Sequence, residues 1–286
     1  MSRKIYSKSG FFVRELITGF LLITLIIFSG CEKEINWETT SVELNTVVVD
    51  GMITNEFQIQ QIQLNQPVTG VNDIPEPFTG ASVNVSWGQQ AVQFTESETE
   101  PGMYISNQPF AAAIETDYFL NISRDELAFN AQTYMVPVSD FNPPGFRYHA
   151  SLNLYSLIWS NSQYSPFEQA MYEAIIDWSH LPGYNDPDTL SSARLLYYTL
   201  NTIDVSFVIF PQDKENVYFP EGSIVYFSKY SLNDDYGAYL RALLSETQWQ
   251  GSLFETARSN LTGNISNGGL GYFSTCAVIR DTLLVE

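Results

Sequence analysis

Short segments of alternating apolar and polar residues dominate the sequence between its N-terminal region and its midpoint. Alternation with a period of two is typical of strands that bury one face and expose the other. Residues 81–87 show it best, because single polar residues separate Val83, Val85 and Trp87. About seven such segments, separated by turn signals, predict a mainly β fold with an Ig-like antiparallel β-sandwich over residues 42–138.

One of these segments changes phase in its middle. Phe57 and Ile59 occupy one set of alternate positions, whereas Ile62 and Leu64 occupy the other set. An extra residue in one strand shifts the phase in this way, so we expect a β-bulge at Gln60-Gln61.

The best candidate for a domain boundary is Pro143-Pro144-Gly145, because such a run cannot lie inside a helix or a central strand. We therefore expect a second, mainly β (α+β) domain over residues 139–286, with a C-terminal helix and a final strand. Most of its segments are aromatic and β-branched, which favours strands. Residues 169–178 (QAMYEAIIDW) are left open between a strand and a helix.

One amphipathic helix is predicted near residues 234–249. Asn233 is its candidate N-cap, and Asp234 and Asp235 favour the positive end of the helix dipole. Apolar and aromatic residues recur with helical spacing and predict a face turned toward the core. They are Tyr236, Tyr239, Leu240, Leu243 and Leu244.

Residues 1–30 have the layout of a secretory signal peptide, with basic residues first, an apolar run at 16–28 and the small pair Ser29-Gly30. The run is too short for a membrane-spanning helix, which needs about 20 apolar residues. The segment IFSGC is similar to the bacterial lipobox, in which acyl chains such as palmitate are attached to the cysteine, here Cys31, and anchor the protein. The alternative is plain cleavage to a free secreted protein. Residues 31–41 are interpreted as a polar tether.

The charge of the chain excludes one class of partner. Residues 1–30 hold four of the 13 basic residues and one of the 32 acidic residues, so the remainder has a net charge of −22. Binding phosphates requires clustered Lys and Arg, and so acidic a surface repels nucleic acid and anionic membrane. We therefore expect no nucleic-acid partner and contact with the membrane through the N-terminal lipid.

The sequence contains no nucleophile elbow, zinc-protease motif or P-loop, and we assign no catalytic residue and no cofactor. His149 is interpreted as a strand residue and His180 as a solvated turn residue, with joint chemistry between His180 and Asp177 as the alternative. Cys276 is expected to pack in the core. The glycines of residues 263–273 are interpreted as tight-turn residues.

Two weaker binding signals remain. Asn185, Asp186 and Asp188 offer oxygen ligands that calcium would accept, although Asx-Pro turns explain them without a metal. The 17 Tyr and five Trp exceed the needs of a core, so aromatic segments are candidates for contact with a glycan or a protein. The structural alternative is cross-strand aromatic pairing. These segments are residues 147–155, 183–198 and 216–227.

Three segments resemble a known family through their order and spacing. They are VVVDGMITNE at residues 47–56, YGAYLRALLSETQWQGSLFE at 236–255 and GNISNGGLGYFS at 263–274. With the lipobox, they are similar to the exported Bacteroidota lipoproteins known as domain of unknown function 4249. The resemblance covers residues 31–286 and implies an outer-membrane location. It also implies a TonB-dependent receptor as partner, because genes of such receptors often lie nearby.

The resemblance implies neither a substrate nor catalytic residues. The charged residues after Cys31 look similar to signals that send lipoproteins to the cell surface. We therefore expect a non-enzymatic, lipid-anchored outer-membrane protein, an accessory or ligand-binding partner of a TonB-dependent receptor, whose ligand the sequence does not identify. The alternative is a cell-surface hydrolase that acts on glycans through paired carboxylates.

Overall fold

A computed structural model describes residues 46–68, 70, 73–158, 168–184, 190–200, 208–211, 217–247 and 261–286. Over these residues the fold is mainly β, with two large sheets, one hairpin sheet and one helix, which confirms the predicted fold class. The strands are β1 Val48–Thr54, β2 Gln61–Asn65, β3 Ser82–Trp87, β4 Gln90–Glu96, β5 Met103–Ser106, β6 Thr116–Arg124, β7 Leu127–Met135, β8 Gly145–His149, β9 Leu154–Ile158, β10 Ala170–Asp177, β11 Ser192–Leu200, β12 Val208–Pro211, β13 Ile224–Ser231, β14 Leu270–Cys276 and β15 Val278–Leu284, and the helix is α1 Asp234–Thr247.

The first sheet has eight strands in the order β14-β1-β2-β5-β4-β3-β6-β7. Its neighbouring strands are antiparallel except β1 and β14, which run parallel. The inward residues of the alternating segments, such as Val83 and Val85, are fully buried in one apolar core. This arrangement fits the predicted sandwich-like organisation, and β14, a strand from near the end of the chain, completes the sheet.

This sheet is nearly closed into a barrel, because its two edge strands, β7 and β14, approach each other. The loop before β14 bridges them. The Asn264 side chain donates from Nδ2 to the carbonyl oxygens of Gln132 (3.0 Å) and Phe273 (2.8 Å), and its Oδ1 accepts from the Phe273 amide. Gly268 and Gly271 have φ of 78° and 82°. Gly268 lies in a tight turn, as the sequence predicts, but Gly271 lies in strand β14, so the turn interpretation is wrong for that glycine.

The second sheet has five antiparallel strands in the order β12-β11-β10-β13-β15. One face packs against the β8–β9 hairpin around a core that includes Tyr172, Phe219 and Phe227. Residues 170–177 form strand β10, so the helical interpretation of this segment is wrong. The first five residues of β10 are all buried. A strand buried on both faces leaves no period-two signal in the sequence, so the segment cannot be distinguished from a buried helix.

Helix α1 lies over the other face of the second sheet. Its Leu240 and Leu244 are buried in a cluster with Met171 of β10 and Tyr230 of β13. The N-cap prediction is confirmed, because Asn233 Oδ1 accepts a hydrogen bond from the Tyr236 amide at 2.8 Å. The last two residues of the predicted helix, 248 and 249, lie outside the described residues. Among the residues that the structure describes, no helix has the length and hydropathy needed to cross a membrane.

The expected bulge at Gln60-Gln61 is instead a loop over residues 55–60. Phe57 and Ile59 are 76% and 42% exposed, so they do not continue the buried face of β2. Gln60 is buried in their place. Its Nε2 lies within hydrogen-bond distance of three backbone carbonyls, which share its two protons, and its Oε1 accepts from the Thr54 amide. The apolar alternation changes phase here because the buried Gln60 side chain, and not Phe57 or Ile59, points inward and hydrogen-bonds to the backbone of the loop.

The two large sheets share the end of the chain. Strand β14 belongs to the first sheet and β15 to the second, and Ala277 alone separates them. Ser231 of β13 strengthens this junction, because its hydroxyl donates to the Val136 carbonyl and accepts from the Ala277 amide. The boundary placed near residue 139 stays a prediction, with β14 as the strand that returns across it.

Candidate functional site

A polar cavity of about 400 Å³ lies on the outer face of the first sheet, and we call it the polar groove. Its floor consists of side chains from β1, β2 and β5. They are Asp50, Met52, Gln61, Gln63 and Met103. The loop 55–60 and the second sheet form its walls, through Ile59 on one side and through Tyr230 and Arg280 on the other.

Strand periodicity explains why the floor residues meet. In β1, Val49 and Ile53 are buried in the barrel, so Asp50 between them points outward. Asp50 is the cross-strand partner of Gln63, and Gln63 is the partner of Met103. Partners on one face of a sheet have Cβ atoms about 5 Å apart. The three side chains therefore form a continuous row across three strands.

Arg280 on β15 forms one wall of the groove and is held in place by three polar contacts. Its Nε and Nη2 donate to the two carboxylate oxygens of Glu56 at 2.7 and 2.8 Å, and Nη1 donates to Ser228 Oγ at 2.8 Å. Its guanidinium also lies 5.7 Å from the Tyr230 ring centroid. Hydrogen bonding to Glu56 raises the pKa of Arg280. The charge of Arg280 is therefore matched within the protein.

A second ionic contact continues this wall away from the groove. Tyr230 donates its hydroxyl to Glu173 Oε2 at 2.9 Å, and Arg194 Nε donates to Glu173 Oε1 at 2.6 Å. Burial raises the pKa of Tyr230, and the nearby Glu173 carboxylate raises it further. The phenol therefore stays protonated and serves as a donor. Because each partner is fixed by the next, the wall is a preorganised surface.

A second cavity of about 360 Å³, the tyrosine cavity, lies between helix α1 and β14. The Tyr272 ring lies 4.9 Å from the Tyr236 ring and 4.7 Å from the Tyr239 ring, between centroids. Burial raises the pKa values of Tyr236 and Tyr272, so both remain neutral. Tyr239 and Tyr272 line the cavity together with polar groups. These polar groups belong to Gln132, Asp235, Thr262 and Asn264.

The predicted site residues fall largely elsewhere. Cys31, the lipidation candidate, and the calcium candidates Asn185, Asp186 and Asp188 lie outside the described residues. His149 is in β8, as predicted, with Nε2 at 2.8 Å from Ser156 Oγ.

His180 is the exposed turn residue that the sequence predicts, with Nε2 at 3.1 Å from the Gly222 carbonyl. Asp177 lies nearby. A hydrogen bond from the Ser179 amide lowers the pKa of Asp177, and proximity to His180 contributes in the same direction. Neither His149 nor His180 lines the polar groove or the tyrosine cavity.

Cys276 packs in the core, as predicted. It is fully buried in the cluster beneath helix α1. Burial raises the pKa of its thiol to about 12, so the thiol is neutral at physiological pH. Its position and protonation identify it as a packing residue.

The aromatic residues of both cavities differ from those that the sequence singled out. Tyr148 and Tyr226, from the predicted contact segments, are 51% and 44% exposed, but neither lines a cavity described above. The cavities use Tyr230, Tyr239 and Tyr272 instead. Tyr239 looked like part of a core stripe, and the other two looked like strand residues. The docking of α1 on β14 brings Tyr239 and Tyr272 together, and local sequence patterns do not indicate that contact.

Comparison with known proteins gives one result. No curated protein matches the chain. A family model does match over residues 32–282, which includes the first sheet, the helix, all residues of the two cavities and the second sheet except the last two residues of β15. The chain therefore belongs to the family described as domain of unknown function 4249.

Proposed function

We propose that this protein is a lipid-anchored, non-enzymatic accessory protein of the outer membrane that binds a ligand in the polar groove beside a TonB-dependent receptor. The observation that carries the proposal is the set of unused polar groups in the groove. Asp50 and Gln61 make no side-chain hydrogen bond with any described residue, although both line the cavity. Concave sites with a few convergent polar groups are typical of ligand binding.

A binding role fits the lining better than the alternative, a glycan hydrolase. Hydrolysis of a glycosidic bond uses two carboxyl groups about 5 to 10 Å apart. The described lining of the polar groove includes a single carboxylate, that of Asp50, and a single cation, Arg280, which Glu56 already neutralises. The described lining therefore offers hydrogen-bonding groups for a ligand but lacks the pair of carboxylates that hydrolysis needs.

The anchor rests on the N-terminal sequence, and its test is Cys31→Ala. We expect the variant to accumulate as an uncleaved, unacylated precursor, because the thiol of Cys31 is the predicted attachment point. Metabolic labelling with radioactive palmitate, followed by immunoprecipitation, measures the modification. Cys276→Ala is the matched control and should keep the label, since Cys276 is buried. Incorporation of palmitate into Cys31→Ala would overturn the anchor.

The partnership is tested by mild-detergent extraction of outer membranes and affinity purification of the full-length lipoprotein. We expect a TonB-dependent receptor to be recovered in near-equal amount with the native chain. Mass spectrometry of the bound fraction gives the identity and the ratio. The control is a purification from cells that produce Cys31→Ala, in which contact at the outer membrane should be lost. If no receptor is enriched with the native protein, the proposed partnership is wrong.

A further inference from the structure

We infer that the polar groove and the tyrosine cavity form one extended site for a neutral oligosaccharide. This inference rests on the proposed binding function and names the chemical class of its ligand. The link between the two cavities is the parallel pair β1–β14. Asp50, on the floor of the groove, is the direct partner of Tyr272, which lines the tyrosine cavity.

The shared face is longer than a single sugar ring. Tyr272, Asp50, Gln63 and Met103 stand in one row on four adjacent strands, β14, β1, β2 and β5. Three inter-strand spacings of about 4.8 Å give this row a length of about 14 Å. Tyr272 is itself only 7% exposed beneath two tyrosine rings of helix α1, so the accessible surface at that end of the row is the half-buried Tyr239. A ligand that reaches from Met103 to Tyr239 must therefore extend across the strands, as a linear chain of several rings does.

A sugar ring presents hydroxyl groups and apolar C–H faces, and the lining offers partners for both. Hydroxyl groups donate and accept hydrogen bonds, and the carboxylate of Asp50 and the carboxamide of Gln61 offer acceptors and donors for them. The apolar C–H faces of the rings can pack against Met52, Met103 and the Tyr239 ring, because tyrosine and methionine side chains combine area with adaptability.

The charge of the site favours a neutral ligand over an anionic one. Asp50 in the groove and Asp235 in the tyrosine cavity are both acidic. The one cation of the described groove lining, Arg280, is held by both carboxylate oxygens of Glu56. An anionic sugar or a phosphate would therefore meet two carboxylates without a free positive partner.

The backbone of the floor argues against a peptide bound as an added strand. Strand addition needs a sheet edge with unpaired N–H and C=O groups. Strand β1 is paired with both β14 and β2, and β2 is paired with both β1 and β5. The floor of the site therefore offers side chains, and its main-chain groups are already used.

The test measures binding of purified full-length lipoprotein in detergent to labelled oligosaccharides by fluorescence anisotropy. The probes are neutral gluco-, manno- and N-acetylglucosamine oligomers of one to eight rings, with oligogalacturonates of equal length as the anionic set. We expect at least one neutral series to bind with an affinity that rises with length, while the anionic set does not bind. Binding of the anionic set alone, or of no probe, overturns the inference.

Matched variants locate the site. Asp50→Ala should weaken binding of long oligomers by about tenfold or more and Gln61→Ala by about fivefold, because a hydrogen bond to a charged group contributes more than one between neutral groups. Gln93→Ala is the control, since Gln93 is likewise an exposed, outward residue of the first sheet, on β4 outside both cavities. Equal binding by Asp50→Ala, Gln61→Ala and Gln93→Ala would show that the ligand lies elsewhere and would overturn the inference.

A third variant tests the extension into the tyrosine cavity. Ala238→Gln places a longer side chain in this cavity at an exposed helical position, where Gln is a good helix former. It should weaken binding of the longest oligomers by about tenfold, as expected for a lost subsite, and leave the shortest binding oligomer unchanged. Loss of binding at every length, or at none, would contradict a two-cavity site.

The experiment also separates the two proposals. If the receptor is recovered with the native protein but no neutral oligosaccharide binds, the ligand class is wrong and the accessory role stands. If oligosaccharides bind at the groove and no receptor is recovered, the ligand class stands and the partnership is wrong. Circular dichroism melting of each variant confirms that the fold is retained before binding is compared.

Discussion

Replacing Gly271 with Ala is expected to lower the free energy of unfolding by more than about 4 kcal/mol, which is in the range of the most damaging point mutations. Gly271 has a φ of 82°, where an L side chain costs about 1–2 kcal/mol. The larger effect is steric. A Cβ at Gly271 would overlap the carbonyl oxygen of Val49 on the paired strand. That oxygen belongs to the backbone, so it cannot rotate away as a side chain does.

The surroundings of Gly271 prevent relief by a small shift of its own strand. On its other side the Gly271 carbonyl lies so close to Gly263 that Gly263 could not carry a Cβ either. Strand β14 is held by β1 on one edge and by the Asn264 bridge toward β7 on the other. The substitution therefore strains the strand that completes the barrel, and we expect the junction with the second sheet to loosen with it.

Urea denaturation followed by tryptophan fluorescence measures the effect. The matched control is Gly268→Ala, three residues earlier. Gly268 has a similar φ of 78°, but a Cβ there would meet open space. It should lose only about 1–2 kcal/mol from the backbone conformation. If the two variants unfold at the same urea concentration, the close approach to Val49 does not determine the stability of β14.

The elements that the sequence predicts correctly are those in which one face is buried. Strands such as β3 alternate cleanly, because Val83 and Val85 face the barrel core and the residues between them face solvent. Helix α1 is predicted equally well from the sequence, because its N-cap and its apolar stripe are local features. Strand β10 is ambiguous from sequence for the opposite reason. It lies between two cores, so its period-two pattern is lost.

Local sequence patterns do not predict which strands pair when those strands are far apart in the chain. The hydroxyl of Thr46 donates to the carbonyl of Gly268, 222 residues away, at the start of the β1–β14 pair. Nothing in the spacing of either segment indicates that they are parallel neighbours. The two cavities depend on this pair, because it places Tyr272 beside Asp50. In the sequence, Asp50, Gln61 and Gln63 look like an ordinary solvated strand face.

Lys229 provides the second large effect. We expect Lys229→Ala to lower the free energy of unfolding by about 3–5 kcal/mol, the range measured when one partner of a buried ion pair is removed. Lys229 is fully buried in strand β13, on the face that packs in the core with Phe227. Its ammonium donates to Glu168 Oε2 (2.9 Å), Ser139 O (3.0 Å) and Ser139 Oγ (2.8 Å). All three of its protons are therefore used.

These contacts fix the segment that connects the two large sheets. Glu168 accepts hydrogen bonds from both the amide and the hydroxyl of Ser139, which lies between β7 and β8. Removing the ammonium leaves the Ser139 carbonyl and the Glu168 carboxylate without their cation. The Glu168 side chain is 18% exposed, so water can restore little of that loss. The amide of Ser139 should also exchange its hydrogen faster, because local opening becomes easier.

A double-mutant cycle separates the ion pair from simple packing. Lys229→Met keeps most of the volume of the side chain, and Glu168→Gln keeps the hydrogen-bonding shape of the carboxylate. If the pair is coupled, Lys229→Met with Glu168→Gln should lose at least about 1 kcal/mol less stability than the two single variants summed. Chemical denaturation of the four proteins gives the coupling free energy. Strict additivity would mean that Lys229 stabilises the protein through its aliphatic contacts and through its ammonium, which lies 5.9 Å from the Tyr172 ring centroid. Glu168 would then hold Ser139 without help from Lys229.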